Sequence, residues 1–301
     1  MRLVDDYTQI PPFEILEPAR RTSPFVFNAP HSGNAYPRSL IRSSRLDRHT
    51  IRRSEDTFVD GLFAGVIELG APMLKANFPR VYVDLNRAAN ELDPEMFDAP
   101  LDLAVAVDSP RVAGGLGVIA RIVGERQEIY GAKLPASEAS ARIATLYDPY
   151  HHALEQLIES TVDDFGACVL VDCHSMPSGA VRAMGEGAGP RPDVILGDRF
   201  GTSCAPELTD ALAAALREVG FVVGRNRPYA GGFITEHYGR PPLVHAVQLE
   251  INRALYMDEA YYTRSRSFGR MQDQMTAVCE TVMDVFRRRG SSDADWPLAA
   301  E

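Results

Sequence analysis

A run of four apolar residues, Cys168-Val169-Leu170-Val171, leads without a break into Asp172-Cys173-His174-Ser175. Such a continuous run suits a strand covered on both faces, the situation of a parallel sheet flanked by helices. Similar bursts recur along the chain, alternating with stretches of helical period. Phe25-Val26-Phe27, bounded by Pro24 and Pro30, reads as a strand, as do Arg80–Asp84, Asp193–Leu196, Phe221–Val223 and Leu243–Ile251. Helical spacing covers 56–69, closed by Gly70, and runs from Asp148-Pro149 to Gly166; it returns over 206–219 and 258–288. Residues 91–136 read as irregular. This order of elements predicts an α/β fold with a central mixed, mostly parallel sheet and helices on both faces. With 301 residues and no repeat or long linker, one domain is expected over 1–290, followed by a loose tail over 291–301.

The net charge of −10 argues against a nucleic-acid partner or an anionic membrane, since both call for a basic surface. No apolar run approaches the roughly 20 residues of a membrane span. Early acids and the pair Pro11-Pro12 occupy the region where a secretory leader would carry its apolar stretch. The four cysteines show no CxxC spacing, so neither a disulfide framework nor a cysteine-rich metal site is indicated. These features predict a cytoplasmic protein acting on a small molecule, and leave its oligomeric state open. The chain lacks GxxxxGK[ST], HExxH and GxSxG, and Gly115-Leu116-Gly117 has no strand before it to make a dinucleotide site.

Ligands of open α/β sheets bind beyond the carboxyl ends of strands. Phe25-Val26-Phe27 leads through Asn28-Ala29-Pro30 to His31, and the 168–171 run leads to His174. A lone histidine in such a place is usually a satisfied, partly buried residue. Two at equivalent places, with one carboxylate, make the open three-ligand set of a catalytic zinc. Asp172 is placed to orient an imidazole, or simply to make a turn. Glu55 and Asp56 are both candidates for the third ligand; an acidic helix start explains one of them well and two less well. Glu250 alternates with Val247, Leu249 and Ile251, so it is expected to be a part-buried carboxylate. It would be either ion-paired, with Arg253 for example, or a general base.

Asn86 and Arg87 close the Arg80–Asp84 segment and suit a substrate carboxylate, which makes a small anionic substrate the expected partner. Arg182 and Arg191 flank a glycine-rich stretch over 179–192 that reads as a loop over the site. His237, framed by Gly231-Gly232 and Gly239, is a further candidate for contact with substrate or leaving group. His49, His151 and His152 read as surface or helix-face residues.

Taken together, several motifs resemble the N-formylglutamate amidohydrolase family. They are Asn28-Ala29-Pro30-His31-Ser32-Gly33, Ser54-Glu55-Asp56, Val83-Asp84-Leu85-Asn86-Arg87, Asp172-Cys173-His174-Ser175, Gly231-Gly232-Phe233-Ile234-Thr235 and Gln248-Leu249-Glu250-Ile251-Asn252-Arg253. They run in order over most of the chain. The resemblance implies a zinc carboxypeptidase-like fold and hydrolysis of N-formyl-L-glutamate to formate and L-glutamate, a last step of histidine degradation. It implies Zn²⁺, or another divalent ion such as Co²⁺, on His31, His174 and an acid at 55 or 56. It also implies Glu250 as base and Asn86 with Arg87 on a substrate carboxylate. Carboxypeptidases place the acid three residues after the first histidine, where this chain has Asn34. Two rival readings are a hydrolase of another N-acyl amino acid or small peptide, and a metal- or anion-binding protein without catalysis.

Overall fold

The computed structural model describes residues 1–5, 7–106, 108–182 and 191–289. The expected tail over 291–301 and the middle of the glycine-rich stretch lie outside the described residues. Contacts divide the chain into two compact units. The first comprises Met1–Glu14, Pro30–Thr57 and Lys75–Glu155; the second comprises Ile15–Ala29, Phe58–Leu74 and Gln156–Glu301.

The main sheet has seven strands: β1 (Phe13–Leu16), β2 (Phe25–Ala29), β3 (Met73–Ala76), β4 (Cys168–Met176), β5 (Val194–Gly197), β6 (Val223–Arg225) and β7 (Val244–Asn252). Their spatial order is β6-β5-β7-β4-β2-β3-β1. β6 with β5, β7 with β4, and β2 with β4 pair in parallel, whereas β7 with β5 is antiparallel. The sheet is therefore mixed and mostly parallel, as the sequence predicts. The helices include α1 (Asp148–Phe165), α2 (Pro206–Glu218), α3 (Phe233–Tyr238) and α4 (Phe268–Arg289). No helix among the described residues is long and apolar enough to cross a membrane.

In the second unit, strand alternation sorts the side chains. Phe25 and Phe27 of β2, Val169, Val171 and Cys173 of β4, and Val247, Leu249 and Ile251 of β7 share one apolar core. Leu208, Leu212 and Leu216 of α2 join it, with Met271, Met275, Val278 and Val282 of α4, at the spacing of one helix face. Each such side chain contributes about 1.5–3 kcal/mol when fully buried. The residues between them in β4 and β7 point to the opposite face. There the pattern turns polar along each strand: Leu170 gives way to Asp172 and His174, and Ala246 to Gln248 and Glu250.

Four expectations need correction. The strand that the sequence ends at Val171 continues to Met176, so Asp172 and His174 lie inside it rather than beyond its end. Arg80–Asp84 is a turn, because the Pro79 carbonyl accepts the Tyr82 N–H at 2.9 Å and the Val83 N–H at 3.4 Å. Its apolar residues are buried without being a strand, and the strand near it is β3. The helix expected over 56–69 is interrupted: Phe58 adopts a left-handed φ of 68°, and only Val59–Leu62 and a 3-10 turn at Ala64–Val66 follow. The last helix starts at Phe268. The residues before it form a small hairpin of Met257–Asp258 with Thr263–Arg264, turned by Asp258 Oδ1 accepting the Ala260 and Tyr261 N–H groups at 2.9 and 3.2 Å.

Candidate functional site

In the first unit, His31 follows β2 after only Pro30 and is 1% exposed. Its Nε2 lies 2.7 Å from Asp84 Oδ1. Asp84 also accepts Arg80 Nη2 at 2.6 Å and the Asn86 N–H at 3.0 Å. Burial alone would raise the Asp84 pKa, but Arg80, His31 and Arg87 overcome it and hold the carboxyl well below the usual range. An ionised carboxylate only accepts, so Nε2 carries the proton in this contact. Nδ1 is 3.4 Å from Asp56 Oδ2. The Asp56 N–H donates to the His31 carbonyl at 3.0 Å, and Ser32 Oγ donates to the Asp56 carbonyl at 3.2 Å. Past the histidine, a Cβ at Gly33 would collide with the Phe78 carbonyl, which explains the glycine in that motif.

Glu55 faces a different set of partners. Oε2 accepts Tyr36 Oη at 2.8 Å and Arg52 Nε at 3.0 Å, while Oε1 accepts Arg52 Nη2 at 2.8 Å and Thr57 Oγ1 at 2.9 Å. Of the two neighbouring acids, Asp56 faces His31 and Glu55 is engaged in a buried ion pair.

The turn that carries Asp84 to Arg87 is held by residues of α1 and the chain before it. Tyr147 Oη donates to the Arg87 carbonyl at 2.7 Å, and His151 Nε2 lies 2.9 Å from the Leu85 carbonyl. Arg142 Nη1 donates to the Tyr82 carbonyl at 3.2 Å, and its guanidinium sits 3.9 Å from the Tyr82 ring centroid. His151 is thus half-buried and bonded, not the plain helix-face residue that the sequence suggests. Asn86 is buried; Arg87 donates from Nε to the Leu116 carbonyl at 2.8 Å and from Nη1 to the Asn86 carbonyl at 2.7 Å. Burial lowers the Arg87 pKa from its ordinary value, against the pull of Asp84.

In the second unit, His174 lies within β4 with Nε2 2.8 Å from Asp172 Oδ2. Asp172 Oδ1 accepts Asn28 Nδ2 from β2 at 2.8 Å. In the register of β7 against β4, Gln248 stands opposite Asp172 and Glu250 opposite His174. Residues in register on parallel strands share a face, so Glu250 flanks His174. It is 7% exposed, and Oε1 accepts Gln248 Nε2 at 2.8 Å. Arg253 directs its Nε to Ser175 Oγ at 3.0 Å. His237 is exposed on α3 and stacks on Phe233 with ring centroids 4.9 Å apart. Arg182 ends the short helix Ser178–Arg182 and is exposed, as is Arg191.

Among the described residues, buried His31 and Asp56 of the first unit bring two ligand atoms to 3.4 Å, and buried His174 of the second offers a further imidazole. Ligand atoms about 2.0–2.1 Å from a tetrahedral zinc stand roughly 3.3 Å apart, close to the His31–Asp56 separation. The donor set and its spacing fit a divalent metal site.

The sequence reading missed Asp84 as the partner of His31. A lone acid inside an apolar burst was the available signal, obscured by reading the burst as a strand. Gln248 entered that reading as part of a motif beside Glu250, without a role of its own.

The family model for N-formylglutamate amidohydrolase matches residues 23–257. An N-formylglutamate deformylase of Pseudomonas aeruginosa is 30% identical over 256 residues, covering 82% of this chain and 86% of that protein. One from Pseudomonas putida is 29% identical over 241 residues, covering 78% and 82%. The crystal structure of N-formylglutamate amidohydrolase from Ralstonia eutropha JMP134 is 36% identical, with a TM-score of 0.87 over 93% of this chain and 100% of that one. The chain belongs to the N-formylglutamate amidohydrolase family, and it is an enzyme.

Proposed function

We propose that this member of the N-formylglutamate amidohydrolase family hydrolyses N-formyl-L-glutamate to formate and L-glutamate. The observation that carries the reading is Glu250, a buried carboxylate in register with His174. A binding protein gains nothing from placing such a group there; a hydrolase needs a proton acceptor beside its water.

His31, Asp56 and His174 would hold zinc or cobalt. When bound, the ion polarises the formyl oxygen and lowers the pKa of water to about 7. Asp84 and Asp172 keep the two rings oriented with protons on Nε2. Glu250 takes a proton from water as its oxygen bonds to the formyl carbon, then hands that proton to the nitrogen as the C–N bond breaks. Arg87, half-buried, and Asn86 hold a substrate carboxylate, which fixes the amide in place. Arg182 is assigned the second carboxylate and His237 a contact with the leaving amine. We place the reaction in the cytoplasm, in histidine degradation; the four free cysteines suit a reducing compartment.

The test is product release by protein reconstituted with zinc or cobalt, offered N-formyl-, N-acetyl- and N-succinyl-L-glutamate. Selective turnover of the formyl compound, lowered about 10²- to 10⁴-fold in Glu250→Gln with metal retained, supports the reading. Equal turnover of the larger acyl groups makes the enzyme a broader N-acyl amino acid hydrolase. Metal binding without turnover of any of them overturns it.

A further inference from the structure

The geometry points to Gln248 as a positioning residue that fixes the carboxylate of Glu250 and ties it to the Gly231-Gly232 loop. The inference rests on the reading of Glu250 as the base. Gln248 is buried on the same face of β7 as Glu250, two residues away. Its Oε1 accepts the Gly232 N–H at 2.9 Å, and its Nε2 donates to Glu250 Oε1 at 2.8 Å. A backbone N–H can only donate and an ionised carboxylate can only accept, so the two contacts permit one orientation of the amide. The side chain is thus a two-ended strut with no freedom to flip.

The far end of the strut is itself held. Gly231 has a φ of +119°, and a Cβ there would collide with Thr235 Oγ1 and press on Arg199. Thr235 Oγ1 donates to the Gly232 carbonyl at 2.9 Å, and the Arg199 N–H donates to the Ala230 carbonyl at 2.7 Å. A Cβ at Gly197, at the end of β5, would run into the Ala230 carbonyl carbon and the Gly231 nitrogen, so loop and sheet are in backbone contact. The Gly232 N–H therefore has a fixed place, and Gln248 transmits that place to one oxygen of Glu250. A carboxylate anchored at one oxygen keeps the rotamer that presents the other to a reacting water. Without the strut, Glu250 would sample rotamers in which proton transfer is out of reach.

The experiment compares wild type, Gln248→Leu, Gln248→Met, Glu250→Gln and the Gln248→Leu/Glu250→Gln double variant, all zinc-loaded. Formate release from N-formyl-L-glutamate, zinc content and thermal midpoint are measured for each. Gln248→Met preserves chain length if the branched variant fails to fold. The expected result is a kcat lowered about 10- to 100-fold in either Gln248 variant, the range typical of supporting hydrogen bonds at such sites. KM and zinc content should stay within about twofold of wild type. In the Glu250→Gln background the further loss should be less than about twofold, because groups acting through one another are not additive. Full multiplicative loss in the double variant, or loss of zinc in the single ones, overturns the proposal in favour of a general structural role. Unchanged kcat in Gln248→Met overturns it while leaving Glu250 as base. Unchanged turnover in Glu250→Gln removes the base and, with it, any role for Gln248 through that base.

Discussion

Asp84 Oδ1 stands 2.7 Å from His31 Nε2, and Arg80 stands 2.6 Å from the other Asp84 oxygen. The chain Arg80–Asp84–His31 keeps the carboxylate ionised and the ring in the tautomer that leaves Nδ1 toward Asp56. In Asp84→Asn the amide keeps the shape and loses the charge. Zinc affinity should fall about 10- to 100-fold, as for other partners of metal-binding imidazoles. Competition against a chelator of known affinity reads this directly; an unchanged constant would leave Asp84 with a folding role only.

The neighbouring acids Glu55 and Asp56 should separate cleanly. Asp56→Asn is expected to lose bound zinc and turnover with little change in the unfolding midpoint of the metal-free protein. Glu55→Gln does the reverse. It keeps one acceptor oxygen for Tyr36 or Thr57 but leaves Arg52 without its counter-charge, at a cost of about 1–3 kcal/mol. Metal analysis and urea unfolding of both variants check the assignment, and zinc loss in Glu55→Gln alone would reverse it.

How legible all this was in the sequence depended on the kind of signal. Cys168–Val171 could be read as a buried strand because every residue in it is apolar, but its true end could not. Asp172 and His174 are polar yet buried, and only neighbours in β2 and β7 supply their partners. The Val81–Val83 burst looks like a strand in period and composition; Pro79 and a pair of local hydrogen bonds make it a turn. Glu55 and Asp56 are chemically similar and adjacent. What separates them is the position of Tyr36 and Arg52 against that of His31, which is tertiary information. Motifs survive this loss because a motif records the site, not the path the chain takes to it.

Removal of the metal gives a third test. A ligand bound at 100 times its dissociation constant stabilises the folded state by about 2.7 kcal/mol. For a chain of this size that is a thermal shift of about 4 °C. Dialysis against a chelator should lower the midpoint by about that much and abolish turnover, and zinc or cobalt should restore both. A midpoint indifferent to chelator and to added zinc would argue against a site on His31, Asp56 and His174.

All four cysteines are buried and free. Burial pushes the Cys204 and Cys279 thiols up to about 12, and raises Cys168 and Cys173 further. Since the thiolate is the reactive form, native protein at pH 8 should titrate with close to no thiol in a disulfide-exchange assay. All four should react once the chain is unfolded in guanidinium. A fast-reacting thiol in the native protein would show that one of these side chains opens to solvent.

Acid sensitivity has a definite source away from the candidate metal site. Asp198 is fully buried; it accepts Arg225 Nε at 3.0 Å, Asn226 Nδ2 at 2.7 Å and the Gly201 N–H at 3.2 Å. Burial alone would raise its pKa, but Arg225 and Asn226 outweigh this and the value is lowered. A carboxyl whose folded pKa lies below its unfolded one, about 3.9, contributes its full stability above that value. The contribution is lost as pH falls through the lower folded value. Arg225→Met removes the cation and leaves Asp198 buried with only neutral donors, so its folded pKa must rise. The variant should be less stable by about 2 kcal/mol at pH 7, and the deficit should shrink toward pH 4, where protonation relieves the stranded charge. Urea unfolding of both proteins at pH 7, 5.5 and 4 measures this. A deficit that stays constant over the three would mean that Arg225 acts through packing and not through the charge of Asp198.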